Sequence, residues 1–224
     1  QRQFTENAAH ELRTPLSLMQ IQLDLYNSGK HPGNDADTIQ TIKMVTEQNE
    51  RLSKMVKTLL DMSELQTVGR DETIVVNALV DEVLADLEPL AQEKNIKLIG
   101  KCKDVNMVGS DILIYRLVYN LVENAIKYNH SGGQVSVEAY QREKQVYLSV
   151  KDTGNGIPEE LKERVFEPFF RVDKSRSREL GGVGLGLALV NEIVRVHDGS
   201  IAIRPNPSGG TIIEVQFAVN RTTA

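Results

Sequence analysis

Residues 9–16 read Ala-His-Glu-Leu-Arg-Thr-Pro-Leu and lie near the start of a long amphipathic pattern. With successive residues turned by about 100°, the apolar side chains gather on one stripe, which predicts a buried helix face. The stripe consists of Phe4, Ala8, Leu12, Pro15, Met19, Leu23 and Tyr26. His10 falls nearly opposite the stripe, so its imidazole is expected to face solvent. This first helix is predicted to end near Asn27, where turn residues become dense.

The neighbours of His10 suit nucleophilic chemistry. Glu11 follows it directly and could orient or deprotonate one ring nitrogen, which would leave the other nitrogen free to attack an electrophile. Thr14 lies one turn further along on the same face. Pro15 lacks an N–H and clashes with the carbonyl of Glu11, so we expect a bend beside this face. An exposed histidine that is only solvated remains the alternative.

A second helix is predicted from about Asp37 to Leu65, with seam residues in steps of three and four, as in a coiled coil. The seam consists of Ile42, Val45, Asn49, Leu52, Val56, Leu59 and Ser63. Two helices joined by a short loop leave much apolar surface uncovered, which predicts a homodimer with a four-helix bundle, its register set by Asn49. The alternative is a single hairpin packed on the rest of the chain.

Composition excludes several classes of protein. The 224 residues carry a formal net charge of −5, which argues against a general nucleic-acid surface. The single Cys102 excludes an internal disulfide and fits a reducing compartment. No apolar run is long enough to cross a bilayer, and the pattern begins in helical phase, so we expect a missing upstream segment. His31, His130 and His197 lack spaced partners and are interpreted as surface or capping residues.

Beyond a predicted hinge at residues 66–71, short strands alternate with helices. Strands are predicted near residues 73–76, 96–101, 106–109, 135–140, 146–151, 201–204 and 211–217. Helices are predicted at residues 79–92, from 110 to about 128, and at 187–196, with Asn77 and Ser110 as N-caps. The pattern predicts a second domain, with one sheet that has a face covered by helices.

Two segments of this second domain have residues suited to a nucleotide. Asn120, Asn124 and Lys127 share one helix face; amide oxygens suit magnesium, and a lysine suits phosphate. Residues 152–158, Asp-Thr-Gly-Asn-Gly-Ile-Pro, follow a strand. Their glycines allow close approach of the backbone, and the carboxylate could accept a hydrogen bond from an exocyclic amine. The simpler interpretations are a solvated helix face for the first segment and a tight turn for the second.

A third segment, Gly181-Gly-Val-Gly-Leu-Gly186, opens an apolar helix. A glycine-rich helix N-terminus offers free backbone donors and a favourable dipole to phosphate. The segment is also similar to a dinucleotide fingerprint. We reject that interpretation because no strand leads into it: residues 167–180 are polar, with four arginines.

The run His-Glu-Leu-Arg-Thr-Pro resembles the phosphoacceptor box of bacterial sensor histidine kinases. The three later segments resemble, in order, the nucleotide-binding boxes of the kinase catalytic domain and of the wider gyrase, chaperone and mismatch-repair superfamily. This resemblance implies an α plus α/β fold: an antiparallel helical hairpin (residues 1–67) that dimerises into a four-helix bundle, then an α/β sandwich ATP-binding domain (residues 68–224). The implied activity is ATP-dependent phosphorylation of His10, followed by transfer to an aspartate of a response regulator receiver domain.

The resemblance also implies individual roles. His10 would be phosphorylated, Glu11 would be its acid/base partner, and Thr14 would position water when the regulator is dephosphorylated. Asn124 would hold Mg²⁺, and Asp152 would select adenine through its amino group. The implied ATP-binding set is Asn120, Asn124, Lys127, Tyr128, Asp152, Gly154, Gly156, Ile157, Phe170, Arg171, Gly182, Gly184, Leu185 and Gly186.

Residues 166–171, Phe-Glu-Pro-Phe-Phe-Arg, match the phenylalanine box of the same family, which makes Arg171 a candidate phosphate contact. Residues 172–180 are expected to form a mobile lid. Val183 departs from the family pattern, since many relatives have threonine there, and the lost hydroxyl could alter phosphate binding. By the same resemblance, the chain is expected to be a cytoplasmic fragment of a protein anchored in the bacterial membrane through segments outside it.

Two rival functions stay open from the sequence. The first is an ATPase of the same superfamily that drives a conformational clamp, in which Glu123 would activate water. The second is a dimeric scaffold without catalysis, whose nucleotide pocket only senses ATP. The sequence identifies neither the sensed signal nor the partner regulator.

Overall fold

The structure is a computed structural model that describes residues 2–27, 35–172 and 183–219. His31, Gly182 and nearly all of the predicted lid lie outside the described residues. In chain order the elements are α1 (Arg2–Asn27), α2 (Asp35–Glu64), β1 (Glu72–Val75), α3 (Val76–Glu93), β2 (Lys97–Cys102), β3 (Asn106–Gly109), α4 (Asp111–Lys127), β4 (Gln134–Arg142), β5 (Gln145–Asp152), α5 (Gly186–Val196), β6 (Ser200–Pro205) and β7 (Thr211–Ala218). Each predicted strand is present, within two residues at either end.

The helices α1 and α2 form the predicted hairpin, and α1 continues through Pro15 without a break. Pro15 is buried, whereas Leu23 at the far end of the predicted stripe is 42% exposed. Other large apolar side chains on both helices are more than half exposed: Leu16, Ile21, Ile39, Ile42 and Leu60. This uncovered apolar surface fits the predicted homodimer.

One face of a five-stranded sheet forms the core of the α/β part. The strand order is β2-β4-β5-β7-β6, and only β2 and β4 pair in parallel. Burial alternates along β7, because successive side chains point to opposite faces of a sheet. The buried face carries Val135, Val137, Ala139, Leu148, Val150, Val215 and Phe217, which belong to the same core as the inner sides of α3, α4 and α5.

The prediction of one sheet was wrong in one respect. β1 and β3 pair with each other in a separate two-stranded antiparallel sheet, with Ile74 opposite Met107. Both of these side chains are buried in the main core. The short strands therefore cover part of the core without joining the five-stranded sheet.

Of the two predicted N-caps, Asn77 was wrong, whereas Ser110 does occupy the N-cap position of its helix. Asn77 lies inside α3, and its Nδ2 donates to Asp104 Oδ1 over 3.3 Å. Ser110 does precede α4, but its side chain makes no capping hydrogen bond. Instead Glu72 Oε2 accepts the N–H of Asp111 at 2.9 Å. A carboxylate at a helix N-terminus is favourable because it also meets the positive end of the helix dipole.

His197 was predicted to be a surface or capping residue: it occupies the C-cap position of α5, but it is buried, whereas His130 is exposed. The Nε2 atom of His197 accepts the N–H of Ser110 at 3.1 Å, and its Nδ1 lies 2.8 Å from the carbonyl oxygen of Ile193. Because Nε2 is an acceptor, Nδ1 carries the proton and donates. The ring thus fastens the end of α5 to the start of α4, and it packs edge-on against Phe217.

Replacing His197 with alanine is expected to lower the free energy of unfolding by about 2–4 kcal/mol, because the N–H of Ser110 loses its acceptor and a cavity opens in the core. Urea unfolding followed by circular dichroism would measure the loss. His130→Ala is the matched control and is expected to change stability by less than about 0.5 kcal/mol. Equal effects of the two substitutions would contradict the structural role of His197.

Candidate functional site

A cavity of about 380 Å³ lies beside α4, the start of α5 and the end of β5. Its size is within the range of small-molecule sites. It brings together twelve of the residues predicted to bind ATP: Asn120, Asn124, Lys127, Tyr128, Asp152, Gly156, Ile157, Phe170, Arg171, Gly184, Leu185 and Gly186. Residues from three distant segments of the sequence therefore line one cavity.

The polar face of α4 is held against the start of α5. A Cβ built on Gly186 would lie 3.0 Å from Asn120 Oδ1 and 3.4 Å from Asn124 Nδ2. Asn120 Nδ2 donates to the carbonyl of Arg116 at 2.7 Å, which fixes the orientation of that amide. Amide oxygens at the cavity wall are the kind of ligand that a hard cation such as Mg²⁺ accepts, so the residues present fit that ion.

Asp152 is fixed by backbone donors at the end of β5. Its Oδ1 accepts the N–H of Gly154 at 2.8 Å and the N–H of Thr211 at 3.2 Å. Burial raises the pKa of the Asp152 carboxyl above its ordinary value, and these two hydrogen bonds only partly oppose that rise. The site therefore holds an oriented carboxylate at a position where ionisation is costly.

Two supports of Asp152 come from the β6–β7 turn, which the sequence identified only as a turn. Asn206 Nδ2 donates to the carbonyl of Asp152 at 2.7 Å. Gly210 has a φ of 84°, and a Cβ there would lie 2.3 Å from the same carbonyl oxygen. Glycine is required at this position, both for its backbone conformation and for the close approach to Asp152.

Two of the predicted glycines join separate parts of the site. A Cβ on Gly154 would lie 2.6 Å from the carbonyl oxygen of Tyr128, so the loop after β5 packs directly on the end of α4. Gly154 is thus a packing residue next to the cavity. Gly184 has a φ of 79°, and a Cβ there would lie 2.6 Å from the carbonyl oxygen of Phe170. Its carbonyl also accepts the N–H of Phe169 at 2.8 Å.

Two lysine side chains form ion pairs with the same carboxylate oxygen of Glu123. Lys127 Nζ lies 2.8 Å and Lys54 Nζ lies 2.9 Å from Glu123 Oε1. Burial alone would raise the pKa of Glu123, but the two ammonium groups hold it below its ordinary value. Lys54 belongs to α2, and with Thr58 of the same helix it lines the cavity. Sequence reasoning missed both residues, since no spacing links α2 to the α4 motif.

Arg171 lines the cavity, but its guanidinium is bound to the helical hairpin. Its Nη2 lies 2.6 Å from Glu11 Oε2, and Arg51 Nη2 lies 3.5 Å from the same oxygen. His10 is exposed, and the Thr14 hydroxyl donates to its carbonyl at 3.1 Å. Within the described residues, the lining of the cavity does not include His10.

The hairpin also contacts the α/β part through apolar side chains. Met55 of α2 is fully buried in a cluster with Val183 and Leu185. A further ion pair joins Arg116 of α4 to Asp61 of α2 at 2.8 Å. The hairpin therefore packs on the rest of the chain and still leaves the apolar surface noted above uncovered.

Residues 2–27, 35–172 and 183–219 contain no group of three or more His, Cys, Asp or Glu side chains placed to hold a metal ion. No helix among them combines the length and the apolar character that a membrane crossing requires.

Comparison with protein families divides the chain into two matched parts. Residues 1–68 match the family described as "His Kinase A (phospho-acceptor) domain". Residues 109–221, about half of the chain, match the family described as "Histidine kinase-, DNA gyrase B-, and HSP90-like ATPase". The hairpin with His10 and the part with the cavity thus match separate families, in the order that the resemblance implied.

Similar whole proteins include the sensor histidine kinase RppB of Synechocystis sp., 34% identical over 98% of this chain and 49% of its own length. The sensor histidine kinase WalK of Bacillus subtilis is 34% identical over 95% of this chain and 36% of its own length. The chain therefore spans about half, or less, of the length of these two relatives.

Among solved structures, the histidine kinase ThkA in complex with the response regulator TrrA has a TM-score of 0.80 and 25% identity, covering 99% of this chain and 63% of its own. The histidine kinase AdeS of Acinetobacter baumannii, at 24% identity, shares the fold with a TM-score of 0.76, covering 94% of this chain and 98% of its own. With a phospho-acceptor domain preceding an ATPase domain, and with such relatives along its whole length, the chain belongs to the sensor histidine kinases of two-component systems.

Proposed function

We propose that this chain is the catalytic core of an ATP-dependent protein histidine autokinase that phosphorylates His10 and passes the phosphoryl group to an aspartate of a response regulator. The observation that carries the proposal is the single cavity in which three sequence segments with nucleotide chemistry meet. An exposed histidine with an acidic neighbour on the adjoining hairpin supplies the acceptor. The likeness to a kinase solved with its response regulator supports the phosphotransfer partner.

ATP would lie with its base at Asp152 and its phosphates at the start of α5. Both backbone donors end on Asp152 Oδ1, so Oδ2 is the oxygen that would accept a hydrogen bond from the adenine amino group. Gly184 and Gly186 border the phosphates, where the α5 N-terminus provides donors and a favourable dipole.

Mg²⁺ would be held by Asn124, whose amide lies at the cavity wall beside Gly186. When bound, the ion would neutralise phosphate charge and help to orient the terminal phosphoryl group. Lys127 would contribute a positive charge beside it. The amide chemistry of the α4 face supports this assignment.

In the transfer, a ring nitrogen of His10 attacks the γ-phosphorus of ATP, the bond to the bridging oxygen breaks, and ADP leaves. Glu11 would assist removal of the ring proton. In the described arrangement Glu11 is bound to Arg171 and Arg51, and His10 lies outside the cavity lining. We therefore infer that the α/β part moves about the hinge at residues 66–71 before transfer, which releases Glu11 and frees Arg171 for phosphate.

The domain boundary, the oligomeric state, the role of Thr14 and membrane attachment are also part of the proposal. We place the domain boundary near residue 67, and we propose a homodimer that buries the exposed apolar side chains of α1 and α2. Thr14 would support hydrolysis of the phosphorylated regulator. Attachment of the whole protein to a membrane is proposed by analogy with the family alone.

The clamp ATPase is the weaker candidate. It requires Glu123 to accept a proton from water, yet two lysines bind this carboxylate and lower its pKa. A carboxylate stabilised in its ionised form is a poor general base. The scaffold without catalysis is distinguished by the labelling experiment that follows.

Incubation with γ-labelled ATP and magnesium is expected to give an acid-labile label on the wild-type chain and none on His10→Gln, because the variant lacks the ring nucleophile. Labelled protein would be counted before and after acid treatment. His130→Gln, which changes another exposed histidine, is expected to label like the wild type. Label retained on His10→Gln would place the acceptor elsewhere, and ATP binding without label would favour the scaffold.

Asp152→Asn is expected to weaken ATP binding by about 30- to 300-fold, because its amide NH₂ would face the adenine amino group, donor against donor. The substitution is not expected to lower the free energy of unfolding. A carboxyl whose folded pKa is raised costs stability as pH rises from its ordinary pKa to the folded pKa, and the full cost is present above both, so a neutral amide should leave stability at pH 7.5 unchanged or higher. ATP titration and urea unfolding of the same preparation would test both. Retained ATP affinity would refute the role of Asp152.

Asn124→Ala is expected to abolish the gain in ATP affinity that magnesium gives the wild type, because the amide ligand is lost. Calorimetric titrations with ATP, with magnesium and with EDTA, would measure this gain. Adenosine is the internal control, since it carries no phosphate, and its affinity should be unchanged. An undiminished magnesium effect in Asn124→Ala would show that the ion is held by other groups.

A further inference from the structure

Lys54 belongs to the helical hairpin, yet it lines the cavity assigned to ATP. It lies on α2, outside the residues that match the ATPase family, and its side chain is 51% exposed. Its Nζ reaches Glu123 Oε1 on α4 at 2.9 Å. Thr58, one turn further along α2, lines the same cavity. One wall of the cavity is therefore supplied by the hairpin.

The charges around Lys54 do not balance. Lys54 and Lys127 share the single carboxylate of Glu123, so the three side chains carry a net charge of +1. The Lys127 side chain is only 16% exposed, and burial lowers its pKa despite the attraction of Glu123. Arg171, another cation in the lining, already has Glu11 as a partner. The surplus positive charge thus lies at the cavity wall beside the Asn120 and Asn124 amides.

A partly buried surplus charge is stabilised by an anion, and a nucleotide polyphosphate is the anion that the assigned cavity would receive. A lysine on a flexible stem can leave a shared carboxylate without breaking the fold, because Lys127 continues to neutralise Glu123. The half-exposed Lys54 is the freer of the two. It can turn toward phosphate while its helix stays in place.

We propose that Lys54 is a phosphate-binding residue of the nucleotide site, donated by the hairpin helix α2 to the di- or triphosphate of the bound nucleotide. The inference rests on the proposed function, since it requires that the cavity binds ATP. The inference has a consequence beyond that function. A ligand that contacts Lys54 of the hairpin and other residues of the α/β part stabilises the contact between the hairpin and the α/β part. Nucleotide binding and docking of the hairpin are therefore coupled.

The test uses the full chain and three nucleosides or nucleotides: adenosine, ADP and ATP. Lys54→Gln is expected to weaken ADP and ATP binding by about 5- to 20-fold, the range for a partly exposed charged hydrogen bond, and to leave adenosine affinity within about twofold. Lys54→Arg should restore most of the loss. Lys57→Gln removes an exposed cation of the same helix that does not line the cavity, and it should change none of the three affinities.

Salt dependence and stability complete the experiment. The difference between wild type and Lys54→Gln should shrink at high salt, because a charged contact is screened and a packing change is not. Urea unfolding would establish that the variant is folded. Unchanged ADP and ATP affinities, or an equal loss for adenosine, would overturn the inference. A wild-type chain that bound none of the three would instead overturn the ATP site itself, so the two failures are distinguishable.

Discussion

The burial of one face of α4 against the sheet is the constraint on which the site depends. Leu117, Leu121 and Ile126 are at most 1% exposed, which fixes the rotation of the helix about its axis. With that rotation fixed, the flank of the helix next to the buried face presents Asn120 and Asn124 toward the start of α5, where Gly186 approaches both amides closely. The polar chemistry of the cavity thus follows from the packing of α4, whose buried side chains also reach the cavity wall at Leu121 and Ala125.

The hairpin is held to the α/β part chiefly by apolar contact. Full burial of Met55 is worth about 1.5–3 kcal/mol, whereas an ion pair with an exposed partner, such as Lys54–Glu123, contributes about 0–1 kcal/mol. The Lys54–Glu123 pair therefore mainly sets the register of the contact, and the less exposed pairs Asp61–Arg116 and Glu11–Arg171 add to it. A contact of this strength can separate at an accessible cost, which the proposed transfer to His10 requires.

Features that depend on residues close together along the chain could be predicted from the sequence. The 3.6-residue period located the helices. Residue spacing and the family resemblance identified the Asn120 and Asp152 segments as nucleotide-binding candidates. Contacts between distant segments that no motif marks were missed. Thr211 supports Asp152 from 59 residues away because β5 and β7 are adjacent. The capping position of His197 was among the roles predicted, but its burial was not, because its partner, the backbone N–H of Ser110, lies 87 residues earlier.

Several residues that the α/β part contributes to the cavity lining also contact the hairpin, which argues that site and hairpin cannot act independently. Arg171 binds Glu11, and Glu123 binds Lys54. Val183 lines the cavity and packs against Met55. A hydroxyl group in place of one of its methyl groups would bring a polar atom into this apolar cluster, whereas valine fills the cluster without one. The valine side chain therefore joins the cavity wall to the hairpin, while the backbone donors of the glycine-rich segment do not depend on the side chain.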